Sequence, residues 1–153
     1  MLFSCGGTAV GNSGMDGFGV IARNHNIRFI GTVSGGNGIA TTYIADSLAI
    51  VWDLEWAFKL QCSKILIRSN SMTVIEDVRK GVVPWCLQSR WLKAEKEITE
   101  IIYEQCYKEV NFSAIELAKQ GAKLAQGAVI VHEGKPPSLV KIELPGRKYY
   151  RFC

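Results

Sequence analysis

Residues 64–78 read KILIRSNSMTVIEDV, and the fold turns on how they are divided. KILI is a continuous apolar run of the kind that forms a strand buried on both faces. RSNS is a small polar cluster at the C-terminal end of that strand. SMTVIEDVRKG then reads as a short helix closed by Gly81. A strand that ends in this way often presents chemistry at its tip. The polar residue there is Asn70, an uncharged amide where the layout calls for a carboxylate.

On the N-terminal side, LFSCGG reads as a short strand and GNSGMDG as turn chemistry, with Asp16 a turn former. FGVIAR and IRFIGTVSGG read as two further strands joined by the tight NHN turn, which completes a three-stranded antiparallel meander. The period then changes. Ile44, Leu48, Val51, Leu54 and Phe58 recur at spacings of three and four, one face of an amphipathic helix over roughly 42–61 that Thr41 or Thr42 can cap. On the C-terminal side, Pro84 breaks the chain and SRWLKAEKEITEIIYEQ (89–105) reads as a second long helix. CYKEVNF reads as one more strand and SAIELAKQGAKLA as a terminal helix. The order β-β-β-α-β-α-α-β-α implies an α/β domain with a mixed five-stranded sheet, the meander plus parallel strands, flanked by helices. The crossover rule puts the first strand near the middle, with the tip of KILIRS beside it. This domain is expected over 1–125. Residues 126–153 form a C-terminal appendage in which GKPPS is a turn or linker and Val140, Ile142 and Leu144 alternate as a strand would.

The 153 residues suit one domain with one real core. The formal charge of +4 permits contact with phosphates without demanding it. Five cysteines, none in a CxxC pair, argue against a zinc site or a disulfide framework and for reduced thiols in an intracellular, nuclear or cytoplasmic, protein. No apolar run approaches a membrane span, and no signal-peptide pattern precedes the first strand. The chain starts almost directly with LFSC, as a domain cut from something longer would.

Four local texts, in order, resemble the ribonuclease H family in its plant retrotransposon type. FSCGGTAVGNSGMDGFGVIARNHN is similar to the family's opening hairpin, IADSLAI to its Ala-Glu-x-x-Ala helix start, and IRSNSMTVI to its Glu-Ser-Asp-Ser strand end. QCYKEVNFSAIELAKQG is similar to its last motif, with Gln105 where the family often has His. The resemblance covers about residues 2–123 and implies hydrolysis of RNA–DNA hybrids by two Mg²⁺ ions about 4 Å apart, held by four acidic positions. Those positions fall on Gly6, Asp46, Asn70 and Ile115, so Asp46 is the single carboxylate that remains. Asp16 is ten residues past Gly6. Asp53 is about 10 Å along the helix from Asp46, too far to share an ion, and Glu116 points about 100° away from Ile115.

The resemblance therefore implies a catalytically degenerate domain that binds an RNA–DNA hybrid or RNA and needs no cofactor. The alternatives are an active hybrid ribonuclease with a remodelled site, and a protein-interaction scaffold. Nucleic-acid contacts implied by the resemblance are Gly11, Asn12, Ser71, Lys108 and Asn111. Structural roles compete at each of them. Asn12 is a turn residue, Asn111 suits the cap of the last helix, and Asn70 or Ser69 suits the cap of the helix after KILIRS. Arg79, Lys80, Arg90 and Lys93 around Trp85 and Trp91 form a basic-aromatic cluster able to touch a phosphate strand, although such tryptophans are more often packing residues. His25 and His132 have no partner spacing.

Overall fold

A computed structural model describes residues 1–10, 15–39, 41–136 and 139. Its elements are β1 (Leu2–Val10), β2 (Met15–Arg23), β3 (Phe29–Ile39), α1 (Thr42–Lys59), β4 (Lys64–Ser69), α2 (Met72–Arg79), α3 (Trp85–Glu95), β5 (Glu100–Gln105), α4 (Phe112–Ala122) and β6 (Val129–Glu133). One mixed sheet runs β5-β4-β1-β2-β3-β6. β1, β2 and β3 are the antiparallel meander, and β4 lies parallel to β1 with Leu2 opposite Leu66 and Cys5 opposite Ser69. β1 is thus interior and its neighbour on the parallel side is the KILIRS strand, as the sequence indicates.

Helices cover both faces. Phe3, Val20, Val33 and Ile67 of the sheet pack with Ile50, Leu54, Ile75 and Trp91 of α1, α2 and α3 in one core. Ile21 packs with Ala114 and Leu117 of α4 and with Leu139 in a smaller one. The α4 contact is close because glycines make it so. A Cβ on Gly19 would stand 2.4 Å from the Ala114 carbonyl oxygen, and one on Gly121 2.3 Å from the Gly35 carbonyl oxygen. α4 therefore lies almost backbone to backbone on β2 and β3.

Several expectations are corrected. The helix read over 89–105 stops at Glu95, and Glu100–Gln105 is strand β5. Ile98, Ile101 and Ile102 satisfy helical spacing, but the segment is rich in β-branched and aromatic residues and pairs in parallel with β4, Lys64 opposite Glu100 and Ser69 opposite Gln105. Ile101 and Tyr103 turn inward on alternate positions while Ile102 is exposed. CYKEVNF, read as a strand, is a turn closed by the Asn111 N–H donating to the Lys108 and Tyr107 carbonyls, because β5 has already ended. Among the described residues the sheet has six strands and not five, since Val129–Glu133 pairs antiparallel with β3, Val131 opposite Val33. Asp16 is not in a turn: it is a strand residue opposite Ala9 and Gly38 and is fully buried. The strand expected at 140–144 lies outside the described residues. The described cysteines are free, and no helix among the described residues is long and apolar enough to cross a membrane.

Candidate functional site at the tip of the central strands

Successive residues of a strand face opposite sides of a sheet. Gly6 faces α4, and a Cβ there would lie 3.4 Å from Asn111 Nδ2, 3.6 Å from Asn70 Oδ1 and 3.7 Å from Ile115 Cγ1. Gly7 faces α1, where a Cβ would lie 2.7 Å from the Ala45 Cβ and the Asp46 nitrogen. The end of β4, the starts of α1 and α4, and the middle of β1 thus bring Gly6, Gly7, Asp46, Asn70, Asn111 and Ile115 together. These are positions up to 109 residues apart in a chain that supplies no local sign of their contact.

The amides make the connections. Asn111, 4% exposed, donates from Nδ2 to the Cys5 carbonyl oxygen at 2.9 Å and to Asn70 Oδ1 at 2.8 Å. It occupies the N-cap position of α4 but makes no capping bond with its side chain, which corrects the expected cap. The cap of α2 is likewise neither Asn70 nor Ser69. Ser71 Oγ accepts from the Val74 N–H at 3.4 Å, and Ser69 Oγ accepts from the Ser71 N–H at 3.2 Å. Asn70 is left to accept from Asn111, across the gap between β4 and α4.

Asp46 Oδ1 accepts from the Gly7 N–H at 2.5 Å. Burial pushes its carboxyl up to about 7; the Gly7 bond works against this and the charge of Asp16 adds to it. Asp16 is itself raised by burial, and neither of its oxygens has a hydrogen-bond partner among the described residues. Asp53 is buried deeper along α1. Burial pushes it well above the ordinary carboxylate range, with the Cys5 side chain beside it as a smaller opposing influence. The signal for Asp53 was present in the sequence, since it falls on the inward face of the helix set by Ile50, Leu54 and Ala57. Among the described residues no group of three or more His, Cys, Asp or Glu is arranged to hold a metal ion.

Of the residues singled out for nucleic acid, Ser71 and Asn111 sit at this tip, the first half-buried and the second buried. Lys108 is exposed on the β5–α4 turn, and Gly11 and Asn12 lie outside the described residues. Gln105 turns its Nε2 onto the Cys106 carbonyl at 2.7 Å. The basic-aromatic cluster divides. Trp91 is 5% exposed and belongs to the core, while Trp85 is 88% exposed and belongs to the surface. Arg79 donates to the Tyr103 carbonyl from Nε and Nη2, and Arg90 binds Glu55.

Similarity to known proteins follows this geometry. The N-terminal RNase H domain of a Mycobacterium tuberculosis protein superposes with a TM-score of 0.70 at 20% identity, over 79% of this chain and 91% of that one. RNase H1 of the archaeon Halobacterium salinarum gives 0.70 at 18% identity, over 78% and 95%. An RNase H1 from compost, solved in complex with an RNA/DNA hybrid, gives 0.68 at 20% identity, over 79% and 95%. Identities this low carry the fold alone. No curated protein matches the sequence. The family profile described as reverse transcriptase-like matches residues 4–121, most of the chain. With the ribonuclease H fold established by the superpositions and the profile spanning both the meander and α4, the chain is a ribonuclease H-like domain and belongs to the reverse transcriptase-like family.

Proposed function

We infer that this domain binds nucleic acid, an RNA–DNA hybrid or RNA, and does not cleave it by the two-metal route. The observation that carries the reading is the Asn111 amide bonded to Asn70 Oδ1 and to the Cys5 carbonyl beneath Gly6. Four positions that would each offer a carboxylate in an active relative hold a glycine, an amide, an isoleucine and one aspartate.

A pair of divalent ions does not fit these donors. Two Mg²⁺ ions about 4 Å apart need several carboxylates to offset their repulsion. Asn70 Oδ1 is a neutral acceptor already engaged, Ile115 offers carbon, and Gly6 offers nothing. The Asp46 carboxylate is a single acidic donor, and its Oδ1 already accepts from the Gly7 N–H. Where catalytic groups act as a unit, removing one alone can lower turnover by about four to six orders of magnitude. Binding has other requirements. This fold meets a duplex through sugar and phosphate, which calls for amides, hydroxyls and a few basic groups. Support for binding comes from the compost RNase H1, which was solved with an RNA/DNA hybrid, and from the exposure of Lys108 near the strand tip.

The test is a titration of Mg²⁺ or Mn²⁺ against a labelled RNA–DNA hybrid with cleavage and binding both recorded. Binding with a steep salt dependence and no metal-dependent product is expected. Metal-dependent cleavage that is lost in Asp46→Asn would establish the remodelled nuclease instead. Absence of any hybrid or RNA binding would leave the fold as a protein scaffold.

A further inference from the structure

A groove of about 750 Å³ opens at the opposite end of α1 from Asp46. On α1 the groove begins at Trp52, six residues or about 9 Å along the axis from Asp46, and runs to Lys59, about 20 Å away, and it shares no lining residue with the strand tip. The groove is therefore distinct from the strand tip. Its floor is Trp52, Trp56 and Val33, its walls include Phe58 and Val131, and its rim carries Lys59, Arg90, Lys93 and Lys96 against Glu55 and Glu97.

Two features of this groove point to one ligand chemistry. First, both tryptophans are anchored from behind. Trp52 packs on Phe18 with ring centroids 5.8 Å apart, and Trp56 meets Phe3 edge-on at 6.0 Å. Each is half-buried, so one surface is fixed by the core and the rest faces the groove. Such rings are rigid platforms that lose little freedom when a planar group stacks on them. Second, the charge is one-sided. Glu55 is consumed by Arg90, whose Nε donates to it at 3.1 Å. Lys59, Lys93 and Lys96 are exposed and have no acidic partner among the described residues, which leaves Glu97 as the one opposing charge on the rim.

We propose that this groove is a second binding surface, one that takes a segment of single-stranded nucleic acid. Bases stack on Trp52 and Trp56, and phosphates run along Lys59, Lys93 and Lys96. An acidic peptide without aromatic residues would satisfy the lysines but leave the anchored rings without planar partners. A duplex keeps its bases stacked inside and could not reach the floor. The surface stands independently of the strand-tip reading, because no residue is shared between them.

The experiment uses tryptophan fluorescence of the whole chain carrying Trp85→Phe, which removes the exposed tryptophan and leaves Trp91 buried. Titration with a short oligothymidylate is expected to quench the signal saturably. Three phosphate contacts predict a log–log salt slope of about −2 for a single strand, hence roughly twentyfold weaker binding at 200 mM than at 50 mM salt. The double substitution Lys93→Glu with Lys96→Glu, both at exposed positions, is expected to weaken binding at low salt by about tenfold or more and to flatten the slope to about −0.7. Asn70→Ser, at the strand tip, is expected to leave oligothymidylate binding unchanged. Absence of saturable quenching, indifference to the lysine reversals, or equal quenching by polyglutamate would each overturn the proposal. Loss of hybrid binding in Lys108→Glu with oligothymidylate binding intact would support two separate surfaces, and parallel loss of both would overturn the proposal.

Discussion

Replacing Asn111 by alanine tests the centre of the strand-tip arrangement. One side-chain nitrogen there makes two bonds, at 2.9 Å to the Cys5 carbonyl and at 2.8 Å to Asn70 Oδ1. The Cys5 acceptor is buried, so losing its donor costs about 1–3 kcal/mol, whereas the half-buried Asn70 oxygen regains water and forfeits about 0.5–1.5 kcal/mol. The sum is about 1.5–4.5 kcal/mol, which for a chain of this length lowers Tm by roughly 3–18 °C. Guanidinium or urea unfolding with an unchanged m-value would read it directly. Asn111→Asp sharpens the test. Even if the Asn70 amide turns about to donate, the new carboxylate oxygen faces the Cys5 carbonyl, so ionisation is opposed. The folded pKa of the introduced group lies above its unfolded value, and its contribution is retained at low pH, where the protonated carboxyl donates, and lost as pH rises. The aspartate variant is therefore expected to be no more stable than the alanine variant at pH 7 and to recover on acidification. A cost below about 0.5 kcal/mol for Asn111→Ala, with Asn111→Asp matching the parent across pH, would show that this bridge does not hold β4 to α4.

Other predictions follow from burial and from close approach. Asp46 has a folded pKa of about 7 against an ordinary 3.8, so its contribution to stability is full below about 3.8 and is lost as pH rises through about 7. The upper bound is about 4 kcal/mol; Asp46→Asn, which keeps the acceptor for Gly7, should flatten stability between pH 4 and 7, and a parent whose stability rises with pH over that window would contradict the assignment. Trp91→Ala should cost about 3–5 kcal/mol in chemical unfolding, whereas Trp85→Ala should stay within about 0.5 kcal/mol; similar values for the two would mean that their burial is misassigned. Gly19→Ala should destabilise by about 1–3 kcal/mol or more, since the new methyl meets the Ala114 carbonyl, and a neutral outcome in thermal unfolding would mean that α4 rides higher on the sheet.

Much of this was legible in the chain. The meander, α1 and its Thr41 cap, the buried β4 and the helix ending before Gly81 each carry a local signal, in period or in turn chemistry. β5 reads as helix from the sequence because Ile98, Ile101 and Ile102 fit both helical and strand spacing, and only pairing with β4 decides between them. β6 carries no such signal, because Val129, Ile130 and Val131 form a short, exposed apolar run with no alternation. Asp16 reads as a turn former because the glycines around it advertise a turn, while its position opposite Ala9 is a property of the sheet. The convergence of Gly6, Asn70 and Ile115 was legible only through resemblance to a family. The Asn111–Asn70 bond joins residues 41 apart by tertiary geometry that no local pattern encodes.

The glycine-lined seat of α4 has a consequence for how such a domain can change over time. With Gly19 and Gly121 permitting near contact of main chains, the helix has no slack to slide or rotate. Whatever residue stands at position 115 is delivered to the same point opposite Gly6. A scaffold so stiff would let the residues at its mouth be exchanged one at a time while the frame that presents them stays in place.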